Sequence, residues 1–217
     1  MKGSVSGYVA RIQHRPEQNL SVVTLTGLTG DGTDGEHPFI QNVRFEQHRR
    51  DLACGLSVGE FVFADVLLTY AQWKSPRGEA RSQNFTVGQT LFRLEPQAVL
   101  SVNGYTCPLH CTNEIRLRVR LVRAPEFRRQ GGKRVCEARV ACTDNGVSHY
   151  YTLTAWHDLA DALARGQKGD TLMATVRARK EKWVDASGEH WRDNIEVRSL
   201  CRSPAALQTG RLARAGD

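Results

Sequence analysis

No stretch of this 217-residue chain approaches the ~20 consecutive apolar residues that a membrane-crossing helix needs. The opening Met1-Lys-Gly-Ser-Val-Ser-Gly-Tyr8 lacks the apolar segment of a secretory signal, so the chain reads as cytoplasmic. Six cysteines, at 54, 107, 111, 136, 142 and 201, are too sparse for the disulfide framework of a small secreted domain. The one cluster, Cys107-Pro-Leu-His110-Cys111, lacks a two-residue knuckle spacing and a fourth ligand, so no metal is expected and no cofactor either. There is no Walker loop, no Gly-x-Ser-x-Gly and no His-Glu-x-x-His. The acidic stretch Gly30–Glu36 reads as a plain connection rather than a set of metal-holding carboxylates. An enzyme is therefore not expected. Helical periodicity is also scarce: it appears once, over Asp158–Ala164, with Gly166 just past the end.

Charge is present but unevenly spread. The chain has 30 Lys/Arg and 23 Asp/Glu, a net charge of +7. Residues 1–100 carry 10 of each sign, and residues 101–217 carry 20 cations against 13 anions. A basic half beside a neutral half points to an anionic partner for one of them. Short strand-like runs punctuated by Gly, Pro and Asp-Asn-Gly occur in both halves: 22–26, 61–68, 115–121, 134–141, 150–156 and 171–176.

The two halves repeat one another. Gly59-Glu60, Trp73, Gly78-Glu79, Asn84 and Val87 recur as Gly169-Asp170, Trp183, Gly188-Glu189, Asn194 and Val197, each offset by 110 residues without a gap. The same offset pairs Val5 with Ile115, Val9 with Val119 and Val43 with Leu153. Fixed spacing of one Trp and two Gly implies two homologous units in tandem. The expected division is a neutral first unit over 1–100, a linker over 101–112, a basic second unit over 113–202 and a basic, disordered tail over 203–217. Each unit reads strand, strand, strand, short helix, strand, strand. The fold class expected is all-β: two tandem five-stranded Greek-key barrels of the OB-fold, each with a short helix.

One hairpin concentrates the candidate chemistry. Arg177, Arg179, Lys180 and Lys182 run up to Trp183, a Gly turn follows at Gly188, and Trp191 stands on the return. Proteins that grip single strands without reading sequence pair a cationic groove with aromatic platforms. A packing hairpin is the other reading. Trp183 has polar flanks and is taken as a platform, whereas Trp191 fits either role. Arg116, Arg118 and Arg120 alternate with Ile115, Leu117, Val119 and Leu121, which puts three arginines on one strand face, toward nucleic acid, solvent or a partner chain.

The second unit resembles the bacterial single-stranded DNA-binding protein family along its length. The resemblance rests on Asn113-Glu-Ile115-Arg-Leu117 leading to Pro125-Glu126-Phe-Arg128, then Gly131-Gly132, then Tyr150-Tyr-Thr-Leu-Thr-Ala-Trp156 before Leu159-Ala160-Asp161. Lys168-Gly169 and the run Arg177–Trp183 complete it. Ala124 departs from the family's aspartate. The first unit shows the pattern faintly, in Pro16-Glu17, Gly59 and Trp73…Gly78. The resemblance, to the family's tandem OB-fold form, places Tyr150, Trp156 and Trp183 at base-stacking positions. At the offset, Tyr150 corresponds to Ile40 and Trp156 to Glu46; Trp73 keeps its place, with Lys74 and Arg77 beside it.

The resemblance implies a protein that binds single-stranded DNA without strong sequence preference, in replication, recombination or repair, as a homodimer in the bacterial cytoplasm and nucleoid. The residues do not separate DNA from RNA, because stacking ignores the 2′-hydroxyl. The chain ends Gly-Arg-Leu-Ala-Arg-Ala-Gly-Asp217 where typical members have an acidic docking tail, so recruitment of repair proteins through such a tail is not expected. The rival reading is an OB-fold replication-restart or mobile-element accessory protein acting chiefly through protein contacts.

Overall fold

The computed structural model describes residues 1–30, 37–75, 78–95, 98–144, 147–185 and 188–203, with backbone only at 144, 147, 183–185, 191 and 192. The acidic stretch over 31–36, Arg77 and the tail beyond 203 lie outside the described residues.

Fourteen strands and two α-helices occur among the described residues. In chain order the strands are β1 (Lys2–Arg15), β2 (Leu20–Thr29), β3 (His37–Glu46), β4 (Phe61–Lys74), β5 (Ala80–Gly88), β6 (Phe92–Leu94), β7 (Val99–Val102) and β8 (Tyr105–Pro108). They continue with β9 (Asn113–Leu121), β10 (Glu126–Gln130), β11 (Lys133–Asp144), β12 (Val147–Trp156), β13 (Thr171–Asp185) and β14 (Gly188–Ser203). Helix α1 (Arg50–Cys54) follows β3, and α2 (His157–Ala164) follows β12.

Each repeat closes a ring of five strands. In the first, β1 pairs with β2, β2 with β3, β3 with β5 in parallel, β5 with β4, and β4 back with β1. The second follows the order β9–β11–β12–β14–β13–β9. This is the Greek-key barrel expected of an OB-fold, with the helix between third and fourth ring strands. Closure removes the exposed edges that an open sheet would present.

Alternation built these strands. On β9, Ile115, Leu117, Val119 and Leu121 are buried while Arg116, Arg118 and Arg120 are exposed. On β12, Tyr151, Leu153 and Ala155 are completely buried. On β3 the buried set is Phe39, Gln41, Val43 and Phe45. The side-chain period of two thus fixes which residues face each core.

The turn before the fourth ring strand is repeated in its chemistry. Gly59 and Gly169 hold φ of +90° and +93°, a region where a Cβ is strained. Beside them, the Ser57 N–H donates to the Glu60 carboxylate and the Gln167 N–H donates to the Asp170 carboxylate, both at 2.9 Å. Helix α2 buries Ala160 and Leu163 and carries Asp158 in its first turn, which together with Asp161 holds Arg134.

The chain separates into two compact units. One is Met1–Arg116 with Val176–Ile195; the other is Leu117–Thr175 with the described residues from Glu196 onward. Within the first unit, β1 also pairs with its repeat equivalent β9, matching Lys2 with Arg116, Gly3 with Ile115, Ser4 with Glu114 and Val5 with Asn113. The approach is close: a Cβ on Gly3 would lie 2.1 Å from the Glu114 carbonyl oxygen, so only glycine fits there. The pair Ser4–Glu114 is itself separated by the 110-residue repeat offset.

A two-stranded hairpin, β7–β8, stands where sequence suggested a linker. Its turn is Asn103-Gly104, with φ of +50° and +79°. Positive φ at both central residues is the type I′ arrangement, whose twist matches that of the strands it joins.

Candidate nucleic-acid interface

The outward face of β12 carries Tyr150, Thr152, Thr154 and Trp156, because their odd-numbered neighbours fill the core. Tyr150 and Trp156 are both half-buried, which leaves part of each ring accessible. Antiparallel pairing sets Arg139 of β11 opposite Thr152 and Glu137 opposite Thr154. The Arg139 guanidinium lies 5.7 Å from the Tyr150 ring centroid and donates from Nη1 to Thr152 Oγ1 at 3.2 Å. Such a cation over a ring face is favourable and holds the arginine along the sheet surface. Arg128 of β10 meets Glu137 at 2.6 Å. The result is a sheet face with two partly open aromatic rings, two arginines and hydroxyls between them. It has the parts that grip a polyanion with flat bases.

The cationic hairpin is arranged differently from the open basic patch that its sequence suggests. Arg177 is 4 % exposed and donates from Nη1 to Thr29 Oγ1 at 3.4 Å. Burial takes it off the accessible surface of the cationic run. Lys180 is largely buried and paired with Asp193 at 2.5 Å, and Asp193 also accepts from Gln83 Nε2 at 3.3 Å. Arg179 lies 4.0 Å from Glu181, and Lys182 pairs with Glu189. Carboxylates from the same hairpin therefore offset much of its positive charge. The side chains of Trp183 and Trp191 lie outside the described residues.

In the first repeat the outward face of β3 is Ile40, Asn42, Arg44 and Glu46. Arg44 meets Glu46 at 3.1 Å and also lies over the ring of Phe85, 4.0 Å from its centroid. A groove of about 670 Å³ opens beside them, lined by Arg15, Asn42, Arg44, Trp73, Phe85 and Lys180, all in one compact unit. Two buried side-chain oxygens on its wall, Gln41 Oε1 and Asn84 Oδ1, accept no hydrogen bond. Trp73 is 46 % exposed, and Lys74 beside it is exposed as well. Phe85 and Arg44 were missed from sequence, because the repeat offset directs attention to positions 40 and 46, where the aromatics are absent.

Nothing among the described residues gathers three or more His, Cys, Asp or Glu side chains into a metal-binding set. Cys107 and Cys111 are buried. Burial pushes the Cys111 thiol up to about 11, against the lowering effect of hydrogen bonds from the Leu28 backbone and Ser6. Burial likewise raises Cys136 to about 11, with Glu137 adding to the rise. These thiols stay protonated at neutral pH and act as small apolar groups.

Comparison with known proteins agrees with this geometry. No protein-family profile matches the chain. The single-stranded DNA-binding protein of Thermus thermophilus is 28% identical over 215 residues, covering 90% of this chain and 80% of that protein. That of Deinococcus radiodurans is 28% identical over 148 residues, 61% of this chain but only 48% of that protein's length. The chain is thus similar to bacterial single-stranded DNA-binding proteins over most of its length. The crystal structure of the wild-type single-stranded DNA-binding protein from Thermus aquaticus superposes with a TM-score of 0.70 at 22% identity, over 99% of this chain and 96% of that one. That likeness extends over both barrels and establishes the tandem OB-fold architecture. The similarity in sequence covers most of the chain, and the fold rests on shape.

Proposed function

We infer that the protein binds single-stranded DNA without strong sequence preference, and that it does so as a non-catalytic member of its family in replication, recombination or repair. The observation that carries this reading is the β10–β12 face: Tyr150 and Trp156 half-exposed on one strand, with Arg139 held beside Tyr150. Six residues of strand separate the two rings, about 20 Å. A strand of nucleic acid lying along β12 meets one ring near each end, and its phosphates meet Arg128 and Arg139. Stacking accepts any base, which makes the grip tolerant of sequence.

On this reading Trp183, Trp191, Trp73, Arg179, Lys182, Lys74, Arg116 and Arg118 are further contacts for the strand. The exposed arginines of β9 reach phosphates. The paired lysines release their carboxylates when a phosphate replaces them. Arg177 contributes by holding the hairpin in place rather than by contact. The protein works as a homodimer in the bacterial cytoplasm, associated with the nucleoid. Two exposed apolar residues on the short strand β6, Phe92 and Leu94, support a further association surface. No helix among the described residues is long and apolar enough to cross a membrane.

The test is a titration of the full chain with oligothymidylate at several salt concentrations, followed by fluorescence anisotropy. Affinity should fall linearly with the logarithm of salt, with a slope of about −0.7 per phosphate contact. Duplex DNA of the same length should bind far more weakly, and the oligonucleotide should be recovered intact after incubation with magnesium. Equal affinity for duplex and single strand would overturn the reading. Sedimentation at binding concentrations checks the dimer.

A further inference from the structure

The β7–β8 hairpin does more than join the repeats. It is bonded to the first barrel at several points. Thr26 Oγ1 donates to the Thr106 carbonyl at 2.9 Å, and the Cys111 N–H donates to the Leu28 carbonyl at 2.8 Å. Cys107 is 2 % exposed, and Cys111 packs so near Gly27 that a Cβ there would lie 2.7 Å from its sulfur. The register, with Leu100 opposite Cys107 and Val102 opposite Tyr105, fixes the hairpin's faces. Tyr105 and Cys107, two residues apart, share one face: Cys107 is its buried foot and Tyr105, 39 % exposed, its open rim.

That face borders a groove of about 520 Å³. Val102 and Tyr105 form one side, Pro38 and Ile40 of β3 another, and Arg179 and Lys182 of β13 a third. All of them belong to the same compact unit. Glu181 also opens on the groove, and Arg179 and Lys182 are paired with Glu181 and Glu189, so a phosphate entering there takes the place of a carboxylate. A groove of this size matches a small ligand rather than a protein partner. Its combination of an open phenol ring, apolar walls and cations suits one nucleotide: a flat base beside an anionic phosphate.

We propose that Tyr105 is a base-stacking residue and that the connecting hairpin forms one wall of a nucleotide subsite facing Arg179 and Lys182. The inference rests on the single-stranded DNA reading above but concerns a segment outside the sequence motifs that carry the family resemblance. The base lies against Tyr105, Pro38 and Ile40, and the phosphate is met by Arg179 and Lys182. A strand leaving the first barrel is thereby handed to the β13–β14 hairpin without a gap in contacts.

The experiment is done on the full chain, with oligothymidylate as the probe. Tyr105→Ala should weaken binding by about 5- to 150-fold, the range for one lost base stack, with the melting temperature unchanged. Tyr105→Phe keeps the ring and should bind within about twofold of the parent. An oligonucleotide carrying 5-iodouracil should crosslink photochemically to Tyr105 in the unaltered protein, which decides the matter even where the alanine variant folds poorly. Unchanged affinity in Tyr105→Ala, equal losses in both variants, or crosslinks that avoid residue 105 would each overturn the proposal. If Trp156→Ala weakens binding and Tyr105→Ala does not, the subsite falls and the functional reading stands. If the parent protein fails to bind oligothymidylate, the functional reading falls first.

Discussion

The third ring strands of the two barrels, β3 and β12, share register, burial pattern and place in the barrel, yet they present opposite surfaces. β12 shows Tyr150, Thr152, Thr154 and Trp156; β3 shows Ile40, Asn42, Arg44 and Glu46. Where the second barrel has an aromatic ring beside α2, the first has a carboxylate paired with Arg44. The first barrel does not lack an aromatic–cation pair, however. It builds one across strands, with Arg44 of β3 over Phe85 of β5, whereas the second sets Arg139 of β11 beside Tyr150 of β12. The cores differ too. Gln41 fills the place that Tyr151 takes in the second barrel and donates to Thr86 Oγ1 at 2.6 Å, with its own oxygen left unsatisfied. One scaffold therefore tolerates exchange of polar and aromatic residues at matched positions, provided that the inward–outward alternation is kept.

Four measurements test the contrast between the barrels. The largest effect should come from the cores. Leu153→Ala, at a completely buried site, should cost about 2–5 kcal/mol of stability by thermal unfolding. Val43→Ala at the matched place in the first barrel deletes fewer carbons and should cost less. If Leu153→Ala melts like the parent, the second barrel's core is not packed as described.

Next in size are the faces. Trp156→Ala and Tyr150→Ala should each lose about 1–3 kcal/mol of oligothymidylate affinity, while Glu46→Ala and Ile40→Ala at the matched positions should leave it within a few tenths. Comparable losses from all four variants would erase the asymmetry between the barrels.

Charge gives a smaller and more specific signal. Arg118→Gln should flatten the salt dependence by about 0.7, the contribution of one phosphate contact, and Lys74→Gln should show whether the first barrel makes a contact of the same kind. Slopes unmoved by Arg118→Gln would assign the β9 arginines to solvent or to a partner chain.

The smallest effect concerns the polar pair inside the first barrel. Replacing both members, Gln41→Leu with Thr86→Val, should change the melting temperature little or raise it, because donor and acceptor leave together. Gln41→Leu alone should be the more destabilising, since it strands the Thr86 hydroxyl in a site that is only 3 % exposed. A strongly destabilised double variant would show that the pair is worth more than an apolar core.

Much of the architecture was legible because it depends on periodicity. Ile115–Leu121 alternates, so its arginines had to share a face. Gly59 and Gly169 mark the same left-handed turn, and α2 lies within one residue of the helix read from Asp158–Ala164. The β7–β8 hairpin falls in the stretch read as a linker, although Asn103-Gly104 between two apolar runs is a strong hairpin signal. The surroundings of Arg177 and Lys180 were not legible for a different reason. A cationic run announces charge, but partners distant in sequence decide whether that charge faces solvent. Thr29 lies 148 residues from Arg177, and Asp193 arrives on the returning strand.

The repeat, the order of strands along each unit and the inward–outward sense of each strand follow from local sequence, because alternation and turn residues act over a few neighbouring positions. Which charges are neutralised, that Arg44 lies on Phe85, and that Tyr105 opens on a groove shared with Arg179 are set by the folded chain. Those outcomes depend on side chains brought together across strands, and the separation along the chain at which two residues meet is set by barrel closure rather than by local propensity.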